Sequence, residues 1–183
     1  MALQIKNGEV LVRAPLRATG AEVEAFVLKH RAWIEARLAK ARELAAIEPL
    51  TEAQLQALTD RARAVIPARV AHYAPLVGVS YGRVTIRHPR TRWGSCSSKG
   101  NLNFNCLLML APPEVLDSVV VHELCHRKEM NHSDRFYAEV LRVCPEYRKW
   151  NRWLKENGPR LLARIGSRGA RGASLRGLDI DGG

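Results

Sequence analysis

The run Val119-Val120-Val121-His122-Glu123-Leu124-Cys125-His126 constrains this chain more than any other feature. An H-E-x-x-H pattern on a helix sets two imidazoles one turn apart on the same face, where both can reach a single metal ion. Glu123, rotated about 100° from His122, falls at the rim of that face, where it can hold a metal-activated water and act as general base. Val115, Leu116, Val119, Val120, Val121 and Leu124 spread around the whole circumference, so the helix, running from Pro112-Pro113 to about Met130, must be sandwiched inside the fold. An unpartnered carboxylate there would be costly. Three of the six histidines fall within eleven residues. His132, six residues past His126 and just after a helix end expected at Asn131, is the expected third ligand, with Glu129 as its rival on the same helical stripe. Three ligands leave one position open, the arrangement of a catalytic zinc site. Other divalent transition metals suit imidazole ligands too.

The segments on either side read as a mixture of helix and strand. Residues 9–14 form a short strand closed by Pro15, and Thr19-Gly20-Ala21-Glu22 is a capping box that opens one long helix over residues 20–47. Thr51-Glu52-Ala53-Gln54 is a second box, starting a helix that Pro67 kinks or breaks. Val84-Thr85-Ile86 is a strand. Residues 91–97 and 101–110 read as a hairpin turning at Ser98-Lys99-Gly100, with Leu102, Phe104, Cys106, Leu108 and Leu110 on one face and Asn101, Asn103 and Asn105 on the other. Ser133 caps a further helix, and a last one runs from Pro145 to Gly158-Pro159. Residues 166–183, rich in glycine and poor in apolar side chains, are expected to be disordered.

Charge narrows the partners. The net charge is +11, and no acidic residue lies between Asp60 and Glu114, an interval with eight arginines and lysines. Such a segment, residues 61–113, attracts anions: a substrate or a nucleic acid. A solvated cationic face is the alternative. No apolar run approaches the length of a membrane span, and Met1–Lys6 lacks the apolar region of a signal peptide, which points to the cytoplasm. Cys96, Cys106, Cys125 and Cys144 form no C-x-x-C pair and read as small buried groups in a reducing compartment.

The string from Arg90 to Asn105 (RTRWGSCSSKGNLNFN), then Ala111-Pro112-Pro113, then Val120 to His126 with Asn131-His132-Ser133, resembles the YgjP-like metal-dependent hydrolases, zincin-type relatives of the SprT-like metallopeptidases. The resemblance runs from about Val12 to Gly158. It implies an α+β, minimal zincin-like fold: an N-terminal strand and helical region over residues 1–76, compact with a metal-binding catalytic region over 77–165. It implies zinc on His122, His126 and His132, Glu123 as base, and a sheet edge beside the metal. The family is described both as metallopeptidases and as UTP pyrophosphatases. Two departures stand out: Cys106-Leu107 occupies the place of the usual Trp-Arg, and the N-terminus looks one strand short.

Three functions follow as expectations. The first is a zinc-dependent metallopeptidase, the second a nucleoside triphosphate pyrophosphatase on the same site, and the third a basic nucleic-acid-associated module with a structural metal. Arg92, Ser95, Asn103 and Asn105 are candidate substrate contacts. A peptide could pair with the hairpin's edge, whereas Arg90, Arg92 and Lys99 could neutralise a nucleotide's phosphates. Arg92 could instead pair with a carboxylate of the fold itself. Trp93 and Gly94 read as a packed corner, and Tyr137 as a packing residue or an oxyanion donor.

Overall fold

The computed structural model describes residues 1–6 and 9–166; all but Gly166 of the tail expected to be disordered lies outside the described residues. The described chain is α+β and falls into two compact units, Met1–Glu48 and residues 49–166. The boundary between them lies at Glu48/Pro49. The helix Glu52–Val77 packs on the H-E-x-x-H helix and so belongs to the second unit.

In the first unit, strands β1 (Ala2–Lys6) and β2 (Glu9–Arg13) pair antiparallel, with Leu3 opposite Val12 and Ile5 opposite Val10. β1 is absent from the sequence reading. Its signal was Asn7-Gly8 between two alternating runs, the dipeptide most typical of tight hairpins. The single helix expected over 20–47 is two: α1 (Gly20–Lys29) and α2 (Arg31–Ala45). His30 separates them. Its ring Nδ1 lies 2.8 Å from the Phe26 carbonyl, the acceptor its own backbone N–H would use in an α-helix, and that N–H turns to Val27 O instead. The Thr19–Glu22 capping box forms as expected.

The second unit opens with the Thr51–Gln54 box and α3 (Glu52–Val77), which runs through Pro67 and Pro75 unbroken. Thr59, Ala62, Ile66, Val70, Ala74 and Val77 make its buried stripe at spacings of three and four. Strands β3 (Val84–Arg87), β4 (Gly94–Cys96) and β5 (Leu102–Asn105) form a sheet in the order β3-β5-β4, with β3 parallel and β4 antiparallel to β5. β4 is therefore an edge. Gly100, at φ 78°, makes the hairpin turn that the sequence places at Ser98–Gly100.

The strand expected over 101–110 stops at Asn105, and Cys106–Leu110 form a 3-10 turn. Asn105 causes the change. It is 1% exposed, its Oδ1 accepts the Leu107 N–H, and its Nδ2 donates to the carbonyls of Pro89 and Arg92. The outward-facing amide row therefore ends before it. Cys106 and Leu107 are fully buried in the core.

Helix α4 (Pro113–Cys125) carries the motif and is buried on all sides from Ser118 to Cys125. It ends five residues before the expected Met130, as the N–H groups of Arg127 and Lys128 bond three residues back. Arg69 of α3 grips Asp117 of α4 through two hydrogen bonds of 2.7 and 2.6 Å, with Tyr73 adding a third at 3.1 Å. α5 (Asp134–Val143) starts at the Ser133 cap, and α6 (Tyr147–Ala163) continues past Gly158-Pro159, its expected stop. Trp93, 3% exposed, packs against Gly158 and forms the expected corner. Among the described residues no helix is long and apolar enough to cross a membrane.

Candidate metal centre and active site

The last turn of α4, the segment that follows it and the start of α5 bring three imidazoles together. His122 Nε2 lies 3.2 Å from His126 Nε2 and 3.2 Å from His132 Nε2. Among the described residues these three histidines form the group able to hold a metal ion, and Glu129, the rival third ligand, is outside it. The early end of α4 explains how His132 returns: the chain leaves the helix axis at His126 and needs only six more residues to come back beneath it.

The two separations from His122 suit a divalent ion. Zinc–imidazole bonds of about 2.0–2.1 Å in tetrahedral array set ligand nitrogens about 3.3 Å apart. His126 Nδ1–H donates to the Glu129 carbonyl at 3.1 Å, an acceptor only, which leaves its Nε2 lone pair bare. His122 Nδ1 is hydrogen-bonded to the Tyr147 hydroxyl at 2.8 Å. Burial, then the neighbouring His126 and His132, hold the His122 pKa well below its ordinary value, keeping the ring neutral and able to ligate. Phe136 fills the space behind all three rings, its centroid 4.6–4.9 Å from theirs.

Glu123 is 5% exposed and faces the same cleft, a hollow of about 260 Å³ lined by residues of β4, α4 and the segment after it. Burial pushes its carboxyl up to about 8, against the opposing pull of the Arg92 charge. Gly94 on β4 covers it: a Cβ at that position would stand 2.7 Å from Glu123 Cγ. The glycine is required because strand and carboxylate approach closely.

Of the other candidates, Arg92 and Ser95 line the cleft. Asn103 stands behind, its Nδ2 donating to Ser95 Oγ at 3.2 Å. Asn105 is not at the cleft; both ends of its amide serve the fold. Cys96, read as a buried apolar group, lines the cleft beside Ser95 and is half-buried, and all four cysteines are free. Tyr137 stacks loosely on His132, with centroids 6.3 Å apart. The sequence reading missed Tyr147 in its contact with His122. It stands 25 residues away with the spacing of a core aromatic, and no local pattern marks it.

A mixed fold with three converging imidazoles beside a buried carboxylate belongs to the class of metal-dependent hydrolases. Comparison with known proteins makes the class particular: the family model described as YgjP-like, metallopeptidase domain, matches residues 1–57 and 46–157, and the chain belongs to that family of metallopeptidases. None of the curated proteins matches it. A solved structure with partial likeness is described as the crystal structure of the metallopeptidase zymogen of Pyrococcus abyssi abylysin. It is 23% identical, the likeness covers 50% of this chain and 94% of that one, and the TM-score is 0.46.

Proposed function

We propose that the chain is a zinc-dependent peptidase in which His122, His126 and His132 hold the ion and Glu123 is the general base. The observation that carries the reading is the meeting of three Nε2 atoms, one with its lone pair fixed by a main-chain carbonyl, beside a carboxylate sealed under Gly94. A bound divalent ion supplies Lewis acidity to water and to a peptide carbonyl, and its charge favours the ionised form of Glu123.

The protein's own groups do the rest. Tyr147 and the Glu129 carbonyl aim two of the imidazoles. Glu123 takes a proton from the attacking water at a carboxylate oxygen and returns it to the leaving amine nitrogen. Gly94, Ser95 and Cys96, half-buried, form the edge strand of the sheet along the cleft, where an extended peptide can add by strand pairing. Phe136 packs behind the imidazoles, and the burial of Glu123 keeps bulk water from its carboxylate.

The test is a side-by-side assay of protein with quantified metal against unfolded protein, short peptides and nucleoside triphosphates, together with Glu123→Gln. Peptide hydrolysis by the parent is expected, with the variant keeping its metal and losing turnover. Hydrolysis of UTP alone would replace the peptidase with a pyrophosphatase on the same residues. Equal activity of parent and variant on every substrate would remove Glu123 from the mechanism.

A further inference from the structure

The cleft has one cationic side chain on its wall, Arg92, and one acid, Glu123. Arg92 was open to a simpler reading, an internal ion pair. The structure gives its guanidinium no such pair: among the described residues it has neither a hydrogen bond nor a salt bridge, although its charge reaches Glu123. The backbone beneath it is nevertheless fixed. Asn105 Nδ2 donates to the Arg92 carbonyl at 3.1 Å and to Pro89 O at 2.8 Å, and the next residue, Trp93, is buried. An exposed cation on an anchored base, just before the edge strand, is placed to meet a substrate.

The far end of the same strand has a second cation. Arg127 donates from Nε to Ser80 O and from Nη1 to Ser98 O, each at 3.1 Å, and it packs over Gly100. Both acceptors are neutral, so the guanidinium is positioned without being neutralised. The interval from Arg61 to Pro113, which includes Arg92, contains no acid.

We propose that the protein selects acidic peptides: an extended segment paired along β4, with a carboxylate on one side of the scissile bond held by the Arg92 guanidinium and acidic residues on the other side drawn towards Arg127. The inference rests on the peptidase reading and names its substrate class. A guanidinium fork matches a carboxylate in two parallel hydrogen bonds, a geometry that an amide or an ammonium partner does not reproduce.

The experiment separates this selection from catalysis. Zinc-loaded Glu123→Gln protein is titrated with fluorescent peptides of one length whose flanking residues are Glu, Gln or Lys, and anisotropy is read at low and moderate salt. The Glu peptide is expected to bind at least tenfold more tightly than the Gln peptide, with the Lys peptide weakest. Adding Arg92→Gln is expected to cut the preference severalfold, leaving the share due to Arg127, and Arg92→Glu to cut it further, whereas Arg61→Glu, an equal change of charge at an exposed site on α3, is expected to preserve it. Equal binding of the three peptides by the Glu123→Gln protein, or a preference undiminished by Arg92→Gln, overturns the proposal. Tight binding of UTP with none of the peptides bound overturns it as well. The parent's cleavage of the same peptides is scored separately, so loss of the peptidase reading shows as absent turnover and loss of the selectivity as binding indifferent to Arg92.

Discussion

The Tyr147 hydroxyl and His122 Nδ1, 2.8 Å apart, join the first turn of α6 to the last turn of α4 at the buried side of the metal centre. His122 is 3% exposed and Tyr147 2%, so neither group has water as a ready substitute. With Nδ1–H donating to the phenol, Nε2 is left as the ligating atom. Tyr147→Phe should therefore keep the fold and weaken metal binding by about 10–100-fold, the usual effect of removing a partner that orients a ligand. Competition against a chromogenic chelator measures it. Unchanged affinity would mean that packing alone orients the ring.

Gly94→Ala tests the closeness of strand and carboxylate. Its methyl would stand 2.7 Å from Glu123 Cγ, nearer than packed carbons allow, and the neighbour that must yield is the proposed base. Hydrolysis should fall by about 10²-fold, the scale of a catalytic group displaced by an ångström. Metal stoichiometry should not change, since the atoms nearest the added methyl all belong to Glu123. Activity and bound metal measured on one preparation decide it.

The buried carboxyl makes the stability of metal-free protein depend on pH. Glu123 holds its proton up to about pH 8 in the folded chain, against an ordinary carboxyl value of 4.5. Between those values the folded state binds more protons than the unfolded one, so stability falls as pH rises from 4.5 to 8 and levels off above. The full effect is at most about 4–5 kcal/mol from the shift at ~1.4 kcal/mol per pH unit. Glu123→Gln lacks this slope. Melting temperatures in chelator across pH 5–9 should separate parent and variant progressively, with the variant more stable at the alkaline end.

Phe136 carries load for both core and site. It is fully buried, with its ring against all three imidazoles. Phe136→Ala should cost about 3–5 kcal/mol of stability. Part of that loss should be recovered on adding zinc, because the ion restores order to the rings the phenyl supported. Denaturant midpoints with and without zinc report both effects.

What could be read from the chain beforehand follows the range of the forces involved. Both capping boxes, the turn at Ser98–Gly100 and the Ser133 cap are set by residues three or four apart, and the structure forms them where the sequence places them. The convergence of His132 with His122 and His126 was legible because a helix end and a six-residue spacing leave few ways back. The break at His30 was not, since it depends on one imidazole capturing one carbonyl inside a run that is otherwise helical. Nor was the role of Asn105. Alternation assigns it to an outer face, and only tertiary contacts with Pro89 and Arg92 turn its amide into part of the interior. Tyr147 shows the same limit, its partner being fixed by how two distant helices pack.

The two hydrogen bonds that aim the imidazoles differ in kind. His126 is held by the carbonyl of residue 129, which every amino acid supplies, so drift at that position leaves the ring's orientation intact. His122 depends on a phenol that a single exchange for phenylalanine removes. Of the two, the second is the inheritable weak point of the centre, and lineages that lose activity while keeping all three histidines should be searched there first.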